Sequence, residues 1–461
     1  MDKRFPLPDQ IEMLATALRG RVAMPHHADY DDLRAASLSN FDHRPAAVIR
    51  VANAADIAAV LNFARATDLE VAVRSGGHSV GGHSGSEGGL VIDLRDLKDL
   101  RLDPAAMTLW AGAGLTAGEV TTAVEHEGFI VGFGDSANVG ISGLTLGGGI
   151  GYMVRKHGLT IDTLLAAELV TAEGDIIVAD EQHHAELFWA LRGGGGNFGV
   201  VTRLKYRLHP LPEFVGGPLF LPATPEVMVD FVRAAEAAPD ELSAIAMVVP
   251  APPLPFLPPE IHGKPVFLAM MAYAGGMAAA APVLAPFRAL ATPVADLVRP
   301  APYSSLYIFD EPGVRPAVSV RSRFTETLSL AQARSMIDSV VLNAAPMRMA
   351  QVRVLGGALA RVPAGATAFA HRQSRLMISF LSLYGGDAEV VAAQDAWAEE
   401  SMAGLGLGEV GGTYVNFLSD GSETQIRAAY PAGTWERLAR VKRRYDPENL
   451  FRRNHNIPPA V

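Results

Sequence analysis

"VRSGGHSVGGHSG", residues 73–85, sets five glycines and two histidines within thirteen positions. Glycine admits φ > 0 and lets another group touch the main chain, at a cost in conformational entropy. A chain that accepts this cost repeatedly in one stretch is expected to bring something close to its backbone, and His78 is the first reactive side chain such a group meets. Upstream, "AAVIRVAN" (46–53) reads as a strand. "AADIAAVLNFARATDLE" (54–70) reads as a helix with Ile57, Val60, Leu61 and Ala64 on one face, and "VAVRSGG" (71–77) as a second strand. The unit is β-α-β and ends in the glycine turn.

The 461 residues are too many for one ordinary core, so two or more domains are expected. Hydrophobic residues at 49% and charged ones at 19% describe a folded globule. The net charge of -10 and the lack of any basic run longer than three argue against nucleic acid and anionic membrane as partners. With no cysteine, disulfides, thiolate chemistry and Cys-based metal sites are excluded. "MDKRFPLPDQ" has no apolar signal region and no apolar stretch is long enough to span a bilayer, so a cytoplasmic location is expected.

Of 45 glycines, 26 fall between Arg74 and Val200, which marks that segment as the cofactor-facing half. "TAGEVTTAVEHEG" carries a capping box, Thr116 and Glu119, before a helix that stops at Gly128. "AAELVTAEGDIIVAD" reads as a hairpin around Glu173, Gly174 and Asp175. Composition shifts near "HPLPEF" (209–214). Helical runs at 225–238, 278–290 and 330–344 then alternate with apolar strands such as "AIAMVV" and "MISFLSLY". From Thr413 the character changes again, with "TYVNFLSDG" and a helix through "TWERLARVKRRYDPENLF".

General nucleotide motifs fail their context. "GGGNFG" matches G-x-G-x-x-G at Gly194, Gly196 and Gly199 but follows a helix rather than a strand, and no P-loop is present. The pairs His26–His27 and His183–His184 lack H-E-x-x-H spacing and read as solvated loop residues, so no metal is expected.

Three segments remain: "RSGGHS", "ANVGISGLTLGGGIGYMVRKHGLTIDT" and "ELFWALRGGGGNFGVVT". With "YVNF" and "YDPENLFRRNHNI" they resemble the FAD-linked oxidases of the vanillyl-alcohol oxidase superfamily, most closely the berberine-bridge-enzyme group. The resemblance implies an α+β, two-domain FAD-binding fold of the PCMH type with an antiparallel-sheet substrate domain. It divides the chain into an FAD-binding domain (1–210), a substrate-binding domain (211–411) and a C-terminal segment returning to the first (412–461).

It also implies FAD attached covalently through His78, with Arg74, Ser75, Gly76, Gly77 and Ser79 forming the turn that meets the pyrophosphate. Backbone N–H groups in such a turn suit an anion. Many relatives use a second, cysteine link where this chain has Ser136, so a single attachment is expected. The run Gly140, Gly143, Gly147, Gly148, Gly149 and Gly151 is expected to pack on the pyrophosphate and flavin. Asn197, Gly199 and Val201 are placed on the adenosine side, with Asn449 and Asn456 closing over the cofactor.

On the substrate side, Tyr414 matches a family Tyr-x-Asn motif and is the candidate to accept or orient the O–H or N–H proton. Asn416 is placed beside it on one strand face. In "AQVRVLGGALARV", Gln351 and Arg353 alternate onto the flavin-facing side with Leu355, and stand where relatives carry a lysine or an acid. Arg353 is expected to bind a carboxylate or polarise oxygen, since arginine accepts no proton at neutral pH. Val139, three residues beyond Ser136, is where the family lines its oxygen opening, and valine there goes with oxygen use. The expected function is an oxidase of a small alcohol or amine, using O2 and releasing H2O2, as a monomer or homodimer.

Overall fold

The computed structural model describes residues 6–307, 314–408, 412–419 and 421–461. Strands Ala47–Arg50 and Val71–Arg74 both pair in parallel with Leu90–Asp93, and Arg21–Ala23 joins antiparallel at one edge. Helix Ala54–Thr67 connects the first two. Its N-cap Asn53 accepts from the Asp56 N–H, it ends at Asp68 with φ 56°, and it buries Ile57, Val60, Leu61 and Ala64 as its periodicity requires.

A five-stranded antiparallel sheet follows, in the order Leu100–Asp103, Thr108–Gly112, Val200–Arg207, Leu164–Val170, Ile176–Asp180. The expected hairpin is its last pair, with Val170 opposite Ile176. The capping box at Thr116 and Glu119 is present, ahead of helix Ala117–Glu125.

The central chain builds one eight-stranded sheet, antiparallel in every pair. Its middle is Pro265–Tyr273, Leu242–Pro250, Met347–Val354 and Leu376–Tyr384. Helices Pro225–Ala237, Met277–Arg288 and Leu330–Leu342 pack with one face, burying Ala350, Val352 and Val354. The opposite face presents Met247 and Met349 toward Ile130, Tyr152 and Met153 of the first half. Alternation along Met347–Val354 therefore sends Gln351 and Arg353 toward the glycine-rich half. The tail re-enters the first core through Val415, Leu418, Tyr430, Leu438 and Ile457. The expected boundary at 411–412 adjoins 409–411, which lie outside the described residues.

Two expectations are corrected. Tyr414 and Asn416 are not on a strand: Val415–Phe417 is a 3-10 turn, closed by the Phe417 N–H on the Tyr414 carbonyl at 2.9 Å. The turn forms because both side chains are drawn to one point on the glycine run. The last helix, Ala432–Tyr445, stops before "DPENLF" because the Asp446 carboxylate turns back to accept from the Leu450 and Phe451 N–H groups. Helices Leu7–Ala17 and Ala388–Gly404 were not anticipated; the second buries only Ala398 and Met402, too few to print a pattern.

Within the glycine-rich half, two imidazoles pack on each other. His157 and His209 stack with centroids 3.8 Å apart and planes 14° from parallel. Burial, with His209 and Lys156 adding to it, pushes His157 down to about 3. Burial, then Arg207 and Lys156, pushes His209 down to about 4. Both rings are neutral when folded, whereas the unfolded chain takes up protons below about 6.5. Stability is therefore expected to fall as pH drops through about 6.5 toward 4, by up to about 1.4 kcal/mol per pH unit for each ring. Urea unfolding across that range checks this: His157→Phe should flatten the slope, and an identical slope would contradict the assignment.

Candidate active site

The turn at 74–79 is fixed from behind. Arg74, 1% exposed at the end of its strand, donates to the Arg34 and Ala35 carbonyls at 2.9 and 3.3 Å, to that of Leu33, and to Asp93 at 2.8 Å. The Ser75 hydroxyl donates to the Ala113 carbonyl, and Ser37 takes both the Gly76 and Gly77 carbonyls. Gly77 is left-handed at φ 78°. With the carbonyls used, the N–H groups of Gly76, Gly77 and Ser79 find no acceptor among the described residues. Clustered free donors of this kind form an anion cradle.

The cradle lies directly on the second glycine run. A Cβ on Gly76 would sit 2.3 Å from the Gly140 nitrogen, and one on Gly140 would sit 2.2 Å from Ser75 Oγ. The half-buried Ser136 and Val139 belong to the loop that enters this crossing, beside the half-buried His78. Beyond it, Gly143 is exposed, with nothing within 4 Å of an added Cβ. The remaining glycines make room for the protein's own groups. A Cβ on Gly147 would meet Asn416 Oδ1 at 2.0 Å and one on Gly148 would meet Phe369 at 3.2 Å. Gly149 would collide with Thr160 and Gly151 with the Phe133 carbonyl.

Tyr414 occupies the space these glycines open. Its phenol oxygen accepts from the Gly149 N–H at 2.9 Å, the Ile150 N–H at 3.3 Å and Asn416 Nδ2 at 2.9 Å. Burial raises this phenol above its ordinary range and keeps it protonated; the three donors and the Arg353 charge offset only part of that rise. Arg353, 3% exposed, donates from Nε to Gln351 Oε1 at 2.9 Å, from Nη1 to the Ile150 carbonyl at 3.1 Å and from Nη2 to Asp135 Oδ2 at 2.7 Å. It also lies 5.1 Å from the Phe417 ring centroid. Tyr414, Asn416, Gln351 and Arg353 thus form one connected polar cluster where the sheet meets the glycine run.

The tail ties the far side together. Asn197 donates to the Gly194 and His455 carbonyls, accepts from the Ile457 N–H, and offers its carbonyl to Lys442 Nζ at 2.8 Å. Arg453 donates to the Gly85 carbonyl and to His43, while Asn454 donates to Gly196. His83 packs edge-on to His455 at 4.6 Å, and burial, with His455, Arg453 and His43, pushes it down to about 3. Gly199 packs tightly on Leu169 and Val170, and Val201 lies in the core. Asn449, left-handed at φ 54°, and Asn456 each bury an Oδ1 that has no hydrogen-bond partner among the described residues. Such orphaned acceptors are costly unless a bound group serves them. Free N–H donors at one end and free amide oxygens at the other fit a dinucleotide with a pyrophosphate.

Asp135, Asp162, Arg155 and Arg372 were not anticipated. Arg372 forms a two-pronged pair with Asp162 at 2.7 and 2.8 Å, and Arg155 donates to the Leu355 and Ala238 carbonyls. The charge patterning of either partner alone gave no signal, because each pair joins distant parts of the chain. Glu12, His26 and His27 do gather at the surface, yet His27 Nδ1 is occupied by the Met24 N–H.

Comparison with known proteins agrees with this geometry. The FAD binding domain family matches residues 45–180, and the berberine and berberine-like family matches residues 413–458. The (R)-6-hydroxynicotine oxidase of Paenarthrobacter nicotinovorans is 30% identical over 467 residues, covering 97% of this chain and 98% of its own. An uncharacterised FAD-linked oxidoreductase of Bacillus subtilis is 31% identical over 463 residues, covering 97% and 98%. The crystal structure of 6-hydroxy-D-nicotine oxidase from Arthrobacter nicotinovorans superposes with a TM-score of 0.86 at 26% identity, over 96% of this chain and 98% of that one. Chitooligosaccharide oxidase shares the fold, at a TM-score of 0.84 and 21% identity over 98% and 100%. Among the described residues, no helix is long and apolar enough to cross a membrane.

Asn197→Ala should cost about 1–3 kcal/mol for each buried partner it strands, and should loosen the segment after Phe451. Limited proteolysis with mass spectrometry checks this. A tail as resistant as that of the unmodified protein would contradict Asn197's role as the clamp.

Proposed function

We infer that this chain, which belongs to the berberine-bridge-enzyme-like FAD-linked oxidoreductases, is an oxidase of small alcohols or amines. The observation that carries the reading is the convergence of three N–H donors on the Tyr414 phenol oxygen at the end of the glycine run that begins against the anion cradle. When bound, FAD would supply a two-electron acceptor for a C–H next to oxygen or nitrogen, with O2 as the terminal acceptor. The N–H groups of Gly76, Gly77 and Ser79 hold the pyrophosphate. His78 carries the covalent bond to the flavin, and Ser136 adds none. Asn449 and Asn456 offer their free oxygens to the same cofactor.

Tyr414 is the group placed to orient the substrate's O–H or N–H or to relay its proton, with Gly149, Ile150 and Asn416 fixing the phenol oxygen in place. Gln351 and Arg353 bond to each other through Nε, which fixes both and leaves neither as the base. A compact hydrophobic or heteroaromatic substrate is favoured because the (R)-6-hydroxynicotine oxidase is 30% identical over nearly the whole chain, whereas the chitooligosaccharide oxidase shares only the fold at 21% identity.

Two outcomes test this. Acid-precipitated protein should stay yellow, and His78→Ala should release flavin into the supernatant; free FAD from the unmodified protein would overturn the attachment. In stopped-flow mixing, the reduced protein should reoxidise rapidly with O2. Val139→Leu should slow that step strongly by filling a gap about one methylene in size, while substrate reduction stays near normal. Slow reoxidation of the unmodified protein would instead indicate a dehydrogenase.

A further inference from the structure

Arg353 is the one arginine of the polar cluster, and a buried guanidinium facing a substrate ordinarily selects carboxylates or phosphates. Here that charge is already matched. Asp135, on the loop leading into the glycine crossing, reaches across the junction to Arg353 Nη2 at 2.7 Å. Arg353 is 4% exposed at its side chain and Asp135 30%, so the carboxylate is the half of the pair that faces accessible space. Asp135 Oδ1 accepts no hydrogen bond from the described residues. Asp135 therefore borders the Tyr414–Arg353 cluster at the domain junction.

We propose that Asp135 is a specificity-determining residue: it neutralises Arg353 from across the domain junction, closes the site to anionic substrates, and presents Oδ1 to the O–H or N–H of an uncharged one. This rests on the reading of the cluster as the substrate site. The substrate class is then a neutral aromatic or heteroaromatic alcohol or amine, without a carboxylate or phosphate near the oxidised carbon. Discrimination of this kind works by repulsion as much as by attraction. An entering anion meets the Asp135 charge before it meets the arginine.

The test uses the flavin-loaded protein and two probes of equal shape, benzamide and benzoate, titrated while the visible flavin spectrum is followed. In the unmodified protein benzamide should bind roughly tenfold or more tighter than benzoate. Asp135→Asn should reverse that order, and adding Arg353→Met should abolish the gain for benzoate. Benzoate binding to the unmodified protein as tightly as benzamide would overturn the proposal. So would an order left unchanged by Asp135→Asn. If that variant does not retain flavin, the ratio in the unmodified protein decides alone. A spectrum that neither probe perturbs in any variant would remove the substrate-site reading itself, and the proposal with it.

Discussion

Three N–H groups from two distant parts of the chain converge on the phenol oxygen of Tyr414. Two are backbone donors at the end of the glycine run and one is the Asn416 amide. Tyr414 is 3% exposed, so no bulk water replaces those bonds if it leaves. An unmet buried donor costs about 1–3 kcal/mol, which makes the tyrosine's position a condition of the local fold. The glycines are the other half of the same constraint. A Cβ at Gly147 would overlap Asn416 Oδ1, and one at Gly149 would overlap Thr160 Oγ1. Gly147, Gly148 and Gly149 carry no side chains, so the returning tail docks there with the Tyr414 oxygen on the Gly149 and Ile150 N–H groups.

Around that point, polar pairs accompany the apolar contacts that join the halves. Arg353 joins Asp135, Arg372 joins Asp162, and Arg155 donates to the Leu355 and Ala238 carbonyls. Buried ion pairs of this kind add little net stability, because desolvation offsets most of their attraction. Their consequence is geometric: they fix how the sheet face meets the glycine-rich half. The sheet's hydrophobic core lies on its helical side, through Ala350, Val352 and Val354. The opposite face is thereby free to carry Gln351 and Arg353.

Locally encoded features were legible in the sequence. The β-α-β unit, the Thr116 capping box and the alternation through Gln351 and Arg353 each follow from a short periodic or capping signal. The turn at Tyr414 was not legible. Its residues satisfy a strand pattern, and only their attraction to a segment some 265 residues away bends them into a 3-10 turn. The roles of the glycines were partly legible. Tight backbone approach could be read, but not that Gly147, Gly148 and Gly149 admit the protein's own side chains while Gly143 faces open space. Asp135 left no signal because its partner lies 218 residues away and neither residue sits in a charge pattern.

The central claim is that the Tyr414 oxygen handles the substrate proton during the step that reduces the flavin. Anaerobic stopped-flow reduction tests it most directly, using whichever substrate bleaches the protein fastest in a screen of neutral alcohols and amines. Tyr414→Phe should keep its flavin and slow reduction by roughly 10²-fold or more, with the pH dependence of the step removed. A reduction rate and pH profile matching those of the unmodified protein would contradict the account.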